Sequence, residues 1–350
     1  MKKSLPLLTV LSLGLVFGGP VDSITQSALA ANHGQKVSWN LSTWGKRRAF
    51  TEGIEAVSAY VAEKSDGHFT ININYGGTLS KPRENLDGIS LGAFEAATFC
   101  ASYHADKNKA VTVLELPFLP ITNGAAQKAA DLAVYNHPAT IKEMKKWNAK
   151  LLMSAALPQY EFMGRGKEPR SLDDFKGMRV RALGGIGKAM KVIGAVPTTV
   201  TAPETYRAIE TGTVDAAAFA FYSHFSYKIN EVSTWRTTNL SPGSVNCPMV
   251  VNIDAYNSLS DKNRKILNDA VEAGYDALDK AYSASIEKYT PVAEKQGIVK
   301  ITYTDAELDA FRKAAAQPVW DEWIKEANAV GLPAQELLDL VLKTAKAASK

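Results

Sequence analysis

The sequence predicts an α/β fold of two lobes, each an open, mostly parallel sheet flanked by helices. A chain of 350 residues with 46% hydrophobic content is long enough for two lobes of ordinary domain size. Strand-like and helix-like segments alternate near the N-terminus, and they alternate again over residues 171–220. Because no long linker or internal repeat separates the halves, we expect the chain to cross between the lobes several times.

In the first half, the patterns predict alternating strands and helices in the order of an open sheet. The strands are expected at 36–43, 69–75 and 93–99, and the helices at 50–64, 83–91 and, as one long helix, 125–147. A strand over 151–157 is expected to cross into the second lobe, and one over 245–253 to return. The C-terminal part predicts a long helix capped by Ser260, which Pro291 bends or ends, then a strand at 299–303. Two more helices complete it, one capped by Thr304 and kinked by Pro318, the other over 335–348.

The N-terminus has the pattern of a secretory signal peptide. Two lysines precede an apolar run over residues 5–17, and Ala28-Leu29-Ala30 fits the small-residue cleavage pattern. The run is too short and too rich in Gly and Pro for a permanent membrane anchor. No cysteine stands directly after the predicted cleavage site, so a lipid anchor is not expected. The prediction is a signal peptide over 1–30, a mature protein starting near Ala31, and export to the periplasm.

Charge and motif content argue against several function classes. The formal net charge is +4, and it falls to about +3 once the signal is removed. Without a dense Lys/Arg tract, this balance predicts no nucleic-acid partner. The five histidines are scattered, and neither CxxC nor HExxH occurs, so no metal or other cofactor is predicted. Gly88–Gly92 matches G-x-S-x-G, but its serine lies in a predicted helix and not between a strand and a helix. Ser285–Lys288 matches S-x-x-K without the S-D-N and K-T-G that accompany it in enzymes, so an enzyme interpretation has little support.

The two cysteines, Cys100 and Cys247, stand 147 positions apart. Export permits a disulfide between them, but sequence separation says nothing about distance in space. Cys100 ends a strand-like run, so a small buried apolar side chain is the alternative. The sequence leaves both open.

Residues 171–220 predict a repeated strand–helix unit with Arg181 at the end of a strand. Gly184-Gly185 opens the next helix, and Thr201 with Glu204 forms a capping box for a second. Units of this kind place ligands beyond the carboxyl ends of their strands, near helix N-termini. A guanidinium there matches a carboxylate in charge and shape. The alternative is a surface arginine, or one paired with Asp173 or Asp174.

The spacing of fixed residues across about 45 positions closely resembles the solute receptors of tripartite ATP-independent periplasmic (TRAP) transporters, of the DctP type. The residues that carry this resemblance are Lys176, Gly177, Arg179, Arg181, Gly194, Ala195, Pro197, Glu204, Tyr206, Ala208, Ile209, Gly212, Val214 and Asp215. The resemblance implies a periplasmic binding protein architecture with a long helix spanning both lobes. It divides the chain into lobe I, 31–155 plus about 247–275, and lobe II, 156–246 plus about 276–350 with the spanning and C-terminal helices.

The resemblance further implies that Arg181 clamps the ligand carboxylate, whereas Glu204, Tyr206 and Asp215 are structural. Several acid-binding relatives carry a polar residue, often Asn, where this chain has Phe219. Phe219 and Phe221 alternate with small residues, so both are expected either to face the cleft or to pack the core of the second lobe. Aromatic residues in the cleft would select a ligand with an apolar or flat body. They would also disfavour simple sialic-acid-like or C4-dicarboxylate ligands.

Further ligand contacts are expected where strands and crossovers end at the cleft. The candidates are Trp44, Tyr103, Tyr160, Tyr222 and Asn246. Trp44 is followed by a basic run in which Lys46 or Arg47 is a candidate anion contact; the alternative is a solvated loop. A calcium ion bridging the carboxylate, as in parts of the family, stays open.

The predicted function is capture of a small organic carboxylate between the lobes and its delivery to a TRAP permease of small and large membrane subunits. The protein is expected to be a monomer and not an enzyme. The alternatives are a receptor for a neutral or zwitterionic solute, a secreted enzyme using the same cleft, and a sensor subunit.

Overall fold

Two sheets organise the part of the chain that the structure, a computed structural model, describes: residues 35–349. The predicted signal peptide, 1–30, lies outside the described residues. The strands are β1 Val37–Ser42, β2 Phe69–Asn74, β3 Ala96–Thr98, β4 Ala149–Ser154, β5 Glu161–Gly164, β6 Arg179–Arg181, β7 Val196–Thr198, β8 Ala216–Phe219, β9 Trp235–Thr237, β10 Pro248–Asn252 and β11 Val299–Ile301.

Each sheet belongs to one lobe and is mixed in direction. The first has the order β2-β1-β3-β10-β4, and the second β11-β9-β5-β8-β6-β7. β10 runs antiparallel to β3 and β4, and β5 runs antiparallel to β8 and β9, whereas the other pairings are parallel. The antiparallel pairings belong to strands next to the lobe crossings. Such strands enter a sheet without a helical crossover, which only parallel neighbours need.

Helices cover both sheets and connect them. They are α1 Glu52–Lys64, α2 Asn85–Ser90, α3 Gly124–Tyr135, α4 Pro138–Lys145, α5 Gly184–Val192, α6 Thr205–Glu210, α7 Phe221–Ser226, α8 Ile253–Ser258, α9 Asp261–Lys295, α10 Asp305–Ala329 and α11 Ala334–Ala348. Within residues 35–349, none of the helices has the length and apolar character needed to cross a membrane.

The long helix α9 spans both lobes, as predicted. The Ser260 hydroxyl caps it by accepting a hydrogen bond from the backbone N–H of Asn263 at 3.2 Å. Leu278 packs against Gly53 of the first lobe, and Tyr282 lies 5.2 Å from the Tyr222 ring of the second. The 35-residue helix continues through Pro291 without ending there.

One predicted helix is two in the structure. α3 ends at Tyr135 and α4 begins at Pro138, where a single helix over 125–147 was expected. His137 is extended, with φ −68° and ψ 134°, as the residue before a proline prefers. Its Nδ1 accepts a hydrogen bond from the backbone N–H of Ala139, which caps the new helix. The periodicity alone did not show this break.

The C-terminal helices do not follow the predicted division, which assigns 276–350 to lobe II. α11 packs against α3 of the first lobe, and its buried side chains share that lobe's core. α10 contacts both lobes, because the Trp323 indole donates to Thr112 Oγ1 at 2.9 Å while Glu326 pairs with Lys188 of α5. The last helix therefore belongs with lobe I, and α10 bridges the two lobes.

Candidate functional site

Arg181 lies in the interior at the end of β6, whereas Arg179 at the start of the same strand lies at the surface. Arg179, at the start of β6, donates from its backbone N–H to Asp215 at 2.9 Å and from its guanidinium to the same carboxylate at 2.6 Å. This pairing fixes β6 beside β8 and leaves Arg179 at the surface. Arg181, two positions further on, points to the same side of the strand as Arg179, but it lies at the cavity between the lobes and is 1% exposed.

The Arg181 guanidinium is held by neutral acceptors. Its Nε donates to the Val200 carbonyl at 3.0 Å, and Nη1 donates to the Ala218 carbonyl at 2.8 Å. Nη2 donates to the Tyr103 hydroxyl of the other lobe at 3.3 Å. Among the ion pairs of residues 35–349, none involves Arg181. The alternative pairing with Asp174 is also ruled out, because that carboxylate pairs with Lys167.

Six of the eight predicted ligand residues line one cavity at Arg181, between the lobes. They are Trp44, Tyr103, Tyr160, Arg181, Phe219 and Tyr222. The space between atoms here amounts to about 310 Å³, which includes open solvent. Only about 20 Å³ of it can hold the centre of a water-sized molecule. That is little more than one water requires, so the walls are nearly closed on each other.

Aromatic rings form the wall beside Arg181. The guanidinium carbon lies 4.0 Å from the centre of the Phe219 ring, which is close for a cation–π contact. The Phe219 ring is stacked on Tyr227 at 5.7 Å and tilted against Tyr160 at 6.2 Å. Phe219 therefore lies both at the cation and at the cavity surface.

Phe221 and Asn246 are not brought to the cavity. β8 ends at Phe219 and α7 begins at Phe221, so the strand alternation that placed both rings on one face does not apply. The Phe221 ring instead packs on Phe225 at 5.2 Å and under the Arg236 guanidinium at 4.9 Å. These two predicted positions are therefore corrected.

Asn246 is held in a buried polar network behind the cavity. Its side-chain amide donates to Asp131 Oδ1 at 2.8 Å, and its carbonyl oxygen accepts from the Tyr135 hydroxyl. Its backbone N–H donates to Glu115 Oε1 at 2.9 Å. With its side-chain groups used inside the first lobe, Asn246 has a structural position.

The basic loop after Trp44 contributes a residue that the sequence reasoning missed. Arg47 forms a bidentate pair with Glu52, and Lys46 is exposed. Arg48 is the residue of this run that lines the cavity, and its guanidinium carbon lies 4.5 Å from the Phe50 ring. The basic run indicated that this loop could contact an anion, but only the side-chain geometry shows that Arg48, and not Arg47, lines the cavity. Tyr227, which also lines the cavity, was not predicted either.

The cavity is electrostatically positive. The charged residues that line it are Arg48 and Arg181, and no acidic residue is among the lining residues. Burial raises the pKa of the Tyr160 and Tyr222 hydroxyls, so both stay neutral. Burial also lowers the pKa of the nearby His224 to about 3, so this imidazole adds no charge at neutral pH.

The cysteines are joined, which decides the alternative that the sequence left open. A disulfide links Cys100, just after β3, to Cys247, just before β10. Both residues are buried and line the cavity.

The lining residues do not fit a calcium-bridged carboxylate. Calcium binds oxygen ligands, above all carboxylates, and no Asp or Glu lines this cavity. In the described part of the chain, His, Cys, Asp and Glu residues do not form a group of three that could hold a metal ion.

The fold and the cavity together define a class of protein: a two-lobed α/β receptor with a ligand cavity between its lobes. The chain belongs to the bacterial extracellular solute-binding protein family 7 (DctP), whose family model matches residues 42–326.

The chain is similar to characterised members of this class along most of its length. It is 27% identical over 306 residues to the monocarboxylate 2-oxoacid-binding periplasmic protein of Nostoc sp., covering 82% of this chain and 83% of that one. Among solved structures, a marine metagenome TRAP solute-binding protein specific for aromatic acid ligands has a TM-score of 0.80 at 21% identity, covering 90% and 100% of the two chains. A TRAP solute-binding protein from Rhodoferax ferrireducens, in complex with copurified benzoate, has a TM-score of 0.79 at 19% identity, covering 89% and 98%.

Proposed function

We propose that this protein is a periplasmic receptor for a small monocarboxylate with a flat, aromatic body, which it delivers to a TRAP permease. The observation that carries the proposal is the burial of Arg181 against Phe219 with no acidic partner. A buried cation without a counter-ion is costly, and a ligand carboxylate in the cavity compensates it.

The donor arrangement at Arg181 suits one carboxylate. A guanidinium has five N–H donors, and three are engaged with Val200, Ala218 and Tyr103. The two backbone carbonyls fix the orientation of the fork and leave two N–H groups for a ligand. The Tyr103 hydroxyl accepts from Arg181 and from the Ala202 backbone N–H at 2.8 Å. Its own proton therefore remains for the same carboxylate.

The aromatic walls provide contact for the rest of the ligand. The rings of Trp44 and Tyr103 contact each other in the first lobe, with centroids 6.1 Å apart, and those of Phe219 and Tyr160 contact each other in the second, at 6.2 Å. When the lobes separate, the space between the first-lobe pair and the second-lobe pair is an aromatic slot that a flat body can fill. Burying that body contributes about 25 cal/mol per Å². The aromatic acids bound by the marine and Rhodoferax relatives fit this slot and support the assignment.

Binding requires the lobes to move, since the cavity now holds little more than a water. The ligand enters when the lobes separate and then stabilises closure through contacts with both, such as those of Tyr103 and Arg181. The closed form is the state presented to the membrane subunits. The receptor captures and releases its ligand unchanged, and it acts as a monomer.

Location outside the cytoplasm is supported by two features. The N-terminal pattern is that of a signal peptide, and a structural disulfide persists in an oxidising compartment. Relatives described as periplasmic agree with it.

A thermal-shift screen of residues 31–350 tests the proposal, with aromatic carboxylates, sugar acids, keto acids, dicarboxylates and neutral or zwitterionic solutes. A ligand that binds only the native state raises the melting temperature by mass action. We expect the largest shifts from monocarboxylates with flat bodies. Shifts with neutral or zwitterionic solutes alone would overturn the assignment, and conversion of a solute into a new compound would identify an enzyme. If ligands bind but binding to the permease fails, a sensor role is favoured.

A further inference from the structure

A second arginine stands at the far end of the aromatic wall that begins at Arg181. The Phe219 ring covers Arg181 at 4.0 Å, Tyr227 is stacked on Phe219 at 5.7 Å, and the Arg48 guanidinium lies 5.4 Å from the Tyr227 ring. The two guanidinium groups are therefore separated by two stacked rings.

The first lobe supplies a second wall that runs between the same two cations. Tyr103 accepts a hydrogen bond from Arg181, and its ring lies 6.1 Å from Trp44. The Trp44 carbonyl accepts a hydrogen bond from Arg48 Nη1 at 2.9 Å. Both walls of the cavity thus lead from Arg181 to Arg48.

The Arg48 end of the cavity has hydrogen-bonding groups without partners. Arg48 Nε–H and the Tyr227 O–H are buried donors, and neither has an acceptor among the described residues. Burial raises the pKa of Tyr227, so its hydroxyl stays protonated and able to donate. Among the ion pairs of the described residues none includes Arg48, although its neighbour Arg47 is paired with Glu52. Buried donors left unpaired are costly unless a ligand satisfies them.

We propose that Arg48 and Tyr227 form a second anchor, which selects acids carrying another oxygen acceptor at the end opposite the carboxylate. The ligand then bridges two cations across an aromatic slot, with its carboxylate at Arg181 and a hydroxyl or a second carboxylate at Arg48. This inference rests on the proposed function. It refines the ligand class from flat monocarboxylates in general to aromatic acids with a second oxygen acceptor, and it admits a second carboxylate as that acceptor.

A larger pocket beyond Arg48 makes room for the second group. The space in this pocket amounts to about 1120 Å³, part of which is open solvent. Arg48, Tyr222 and Tyr227 line both this pocket and the inner cavity. Lys46, Arg47 and Lys288 also line it, and Glu52, which is paired with Arg47, is its one acidic lining residue. A polar or charged substituent at this end meets positive charge and water instead of an apolar wall.

The test compares matched pairs of acids by isothermal titration calorimetry. Phenylacetate is paired with 3-hydroxyphenylacetate, and benzoate with benzene-1,3-dicarboxylate. The variants are Arg48→Gln, Tyr227→Phe, the control Arg312→Gln at an exposed arginine that lines neither pocket, and Arg181→Ala as the reference for the first anchor. The melting temperature of each ligand-free variant reports whether the loop stays folded, because Arg48 Nη1 also holds the Trp44 and Lys46 carbonyls. Tyr227→Phe disturbs neither bond.

We expect the wild type to bind the two-ended member of at least one pair about tenfold more tightly, and Arg48→Gln to remove that preference. Tyr227→Phe reduces it several-fold, and Arg312→Gln leaves it unchanged. Equal losses for both members of each pair, or no loss, would overturn the second anchor while leaving Arg181 in place. If no acid binds, or Arg181→Ala binds all of them as the wild type does, the proposed function itself fails.

Discussion

Among single residues, Phe219 connects the Arg181 guanidinium to the aromatic slot. Its ring lies over Arg181 at 4.0 Å and is stacked on Tyr227 at 5.7 Å. A polar residue at this position would provide a hydrogen bond to the carboxylate, whereas the phenyl ring provides a flat surface. The choice of residue 219 therefore sets the shape of the ligand body more than it sets its charge.

Replacing this ring while keeping its volume roughly constant tests that role. We expect Phe219→Leu to weaken benzoate binding by about 5- to 30-fold, since cation–π and ring–ring contacts contribute about 1–2 kcal/mol. Binding of an aliphatic acid of similar size, such as 2-oxoisovalerate, should change less. Calorimetric titration of both acids gives the comparison, and equal losses would show that Phe219 only fills space.

Glu115 is a buried carboxyl group at the contact between the lobes. It accepts hydrogen bonds from Ser102 and from the Asn246 backbone, but burial dominates and raises its pKa to about 7. Because the folded-state pKa lies above the unfolded value, its contribution to stability is full below about pH 4.5 and is lost as the pH rises through about 7.

We expect Glu115→Gln to flatten the decline in the free energy of unfolding between pH 5 and 8. Some decline should remain, because burial also raises the pKa of Asp131 to about 7. Urea unfolding at four pH values measures the slope, with the exposed Glu63→Gln as the control. A variant with the wild-type slope would show that Glu115 does not titrate in this range.

Most of the candidate site could be located from sequence, because Arg181 lies in a motif with fixed spacing and aromatic residues cluster after Asp215. What sequence could not give was the direction of individual side chains. Phe221 points away from the cavity because a helix begins there. Asn246 is hydrogen-bonded to Asp131 and Tyr135, which are distant in sequence. Arg48 differs from Arg47 only in its neighbours in space.

At the scale of elements, local signals predicted most helix and strand positions. The capping boxes at Thr201 and Thr304 form as expected, because they depend on residues three positions apart. The break before Pro138 follows from the proline itself, a local signal that helical periodicity does not record. The antiparallel direction of β10 and β5 depends instead on how the chain crosses between the lobes.

The disulfide joins two such elements, the end of β3 and the start of β10. It closes a loop of 147 positions, which strongly restricts the unfolded chain. We expect the double variant Cys100→Ala with Cys247→Ala to lose about 2–5 kcal/mol of unfolding free energy. Urea unfolding of the variant, and of the wild type with and without dithiothreitol, measures the loss. An unchanged midpoint after reduction, verified by thiol titration, would contradict a stabilising role.

At the scale of the whole molecule, closure depends on a glycine where α5 meets the first lobe. A Cβ on Gly185 would lie 2.2 Å from the Glu115 carbonyl oxygen and 2.7 Å from Pro117 Cδ. Backbone atoms cannot yield as a flexible side chain can, so any larger residue forces the lobes apart.

We expect Gly185→Ala to fold normally within each lobe but to disfavour the closed state by about 1–3 kcal/mol, with a matching loss of ligand affinity. Small-angle scattering should show a larger radius of gyration than the wild type at saturating ligand. Lys191→Ala, an exposed position on the same helix, is the control. Identical scattering and affinity would mean that the lobes do not close through this contact.

The most direct test of the ligand clamp is the affinity of Arg181→Ala for the acid that stabilises the wild type most in the thermal screen. Calorimetric titration should show a loss of about 100-fold or more, while circular dichroism shows an intact fold. Arg181→Lys, which keeps the charge but not the fork, should fall between the two. An unchanged affinity in Arg181→Ala would show that Arg181 does not contact the ligand and would contradict the proposed carboxylate clamp.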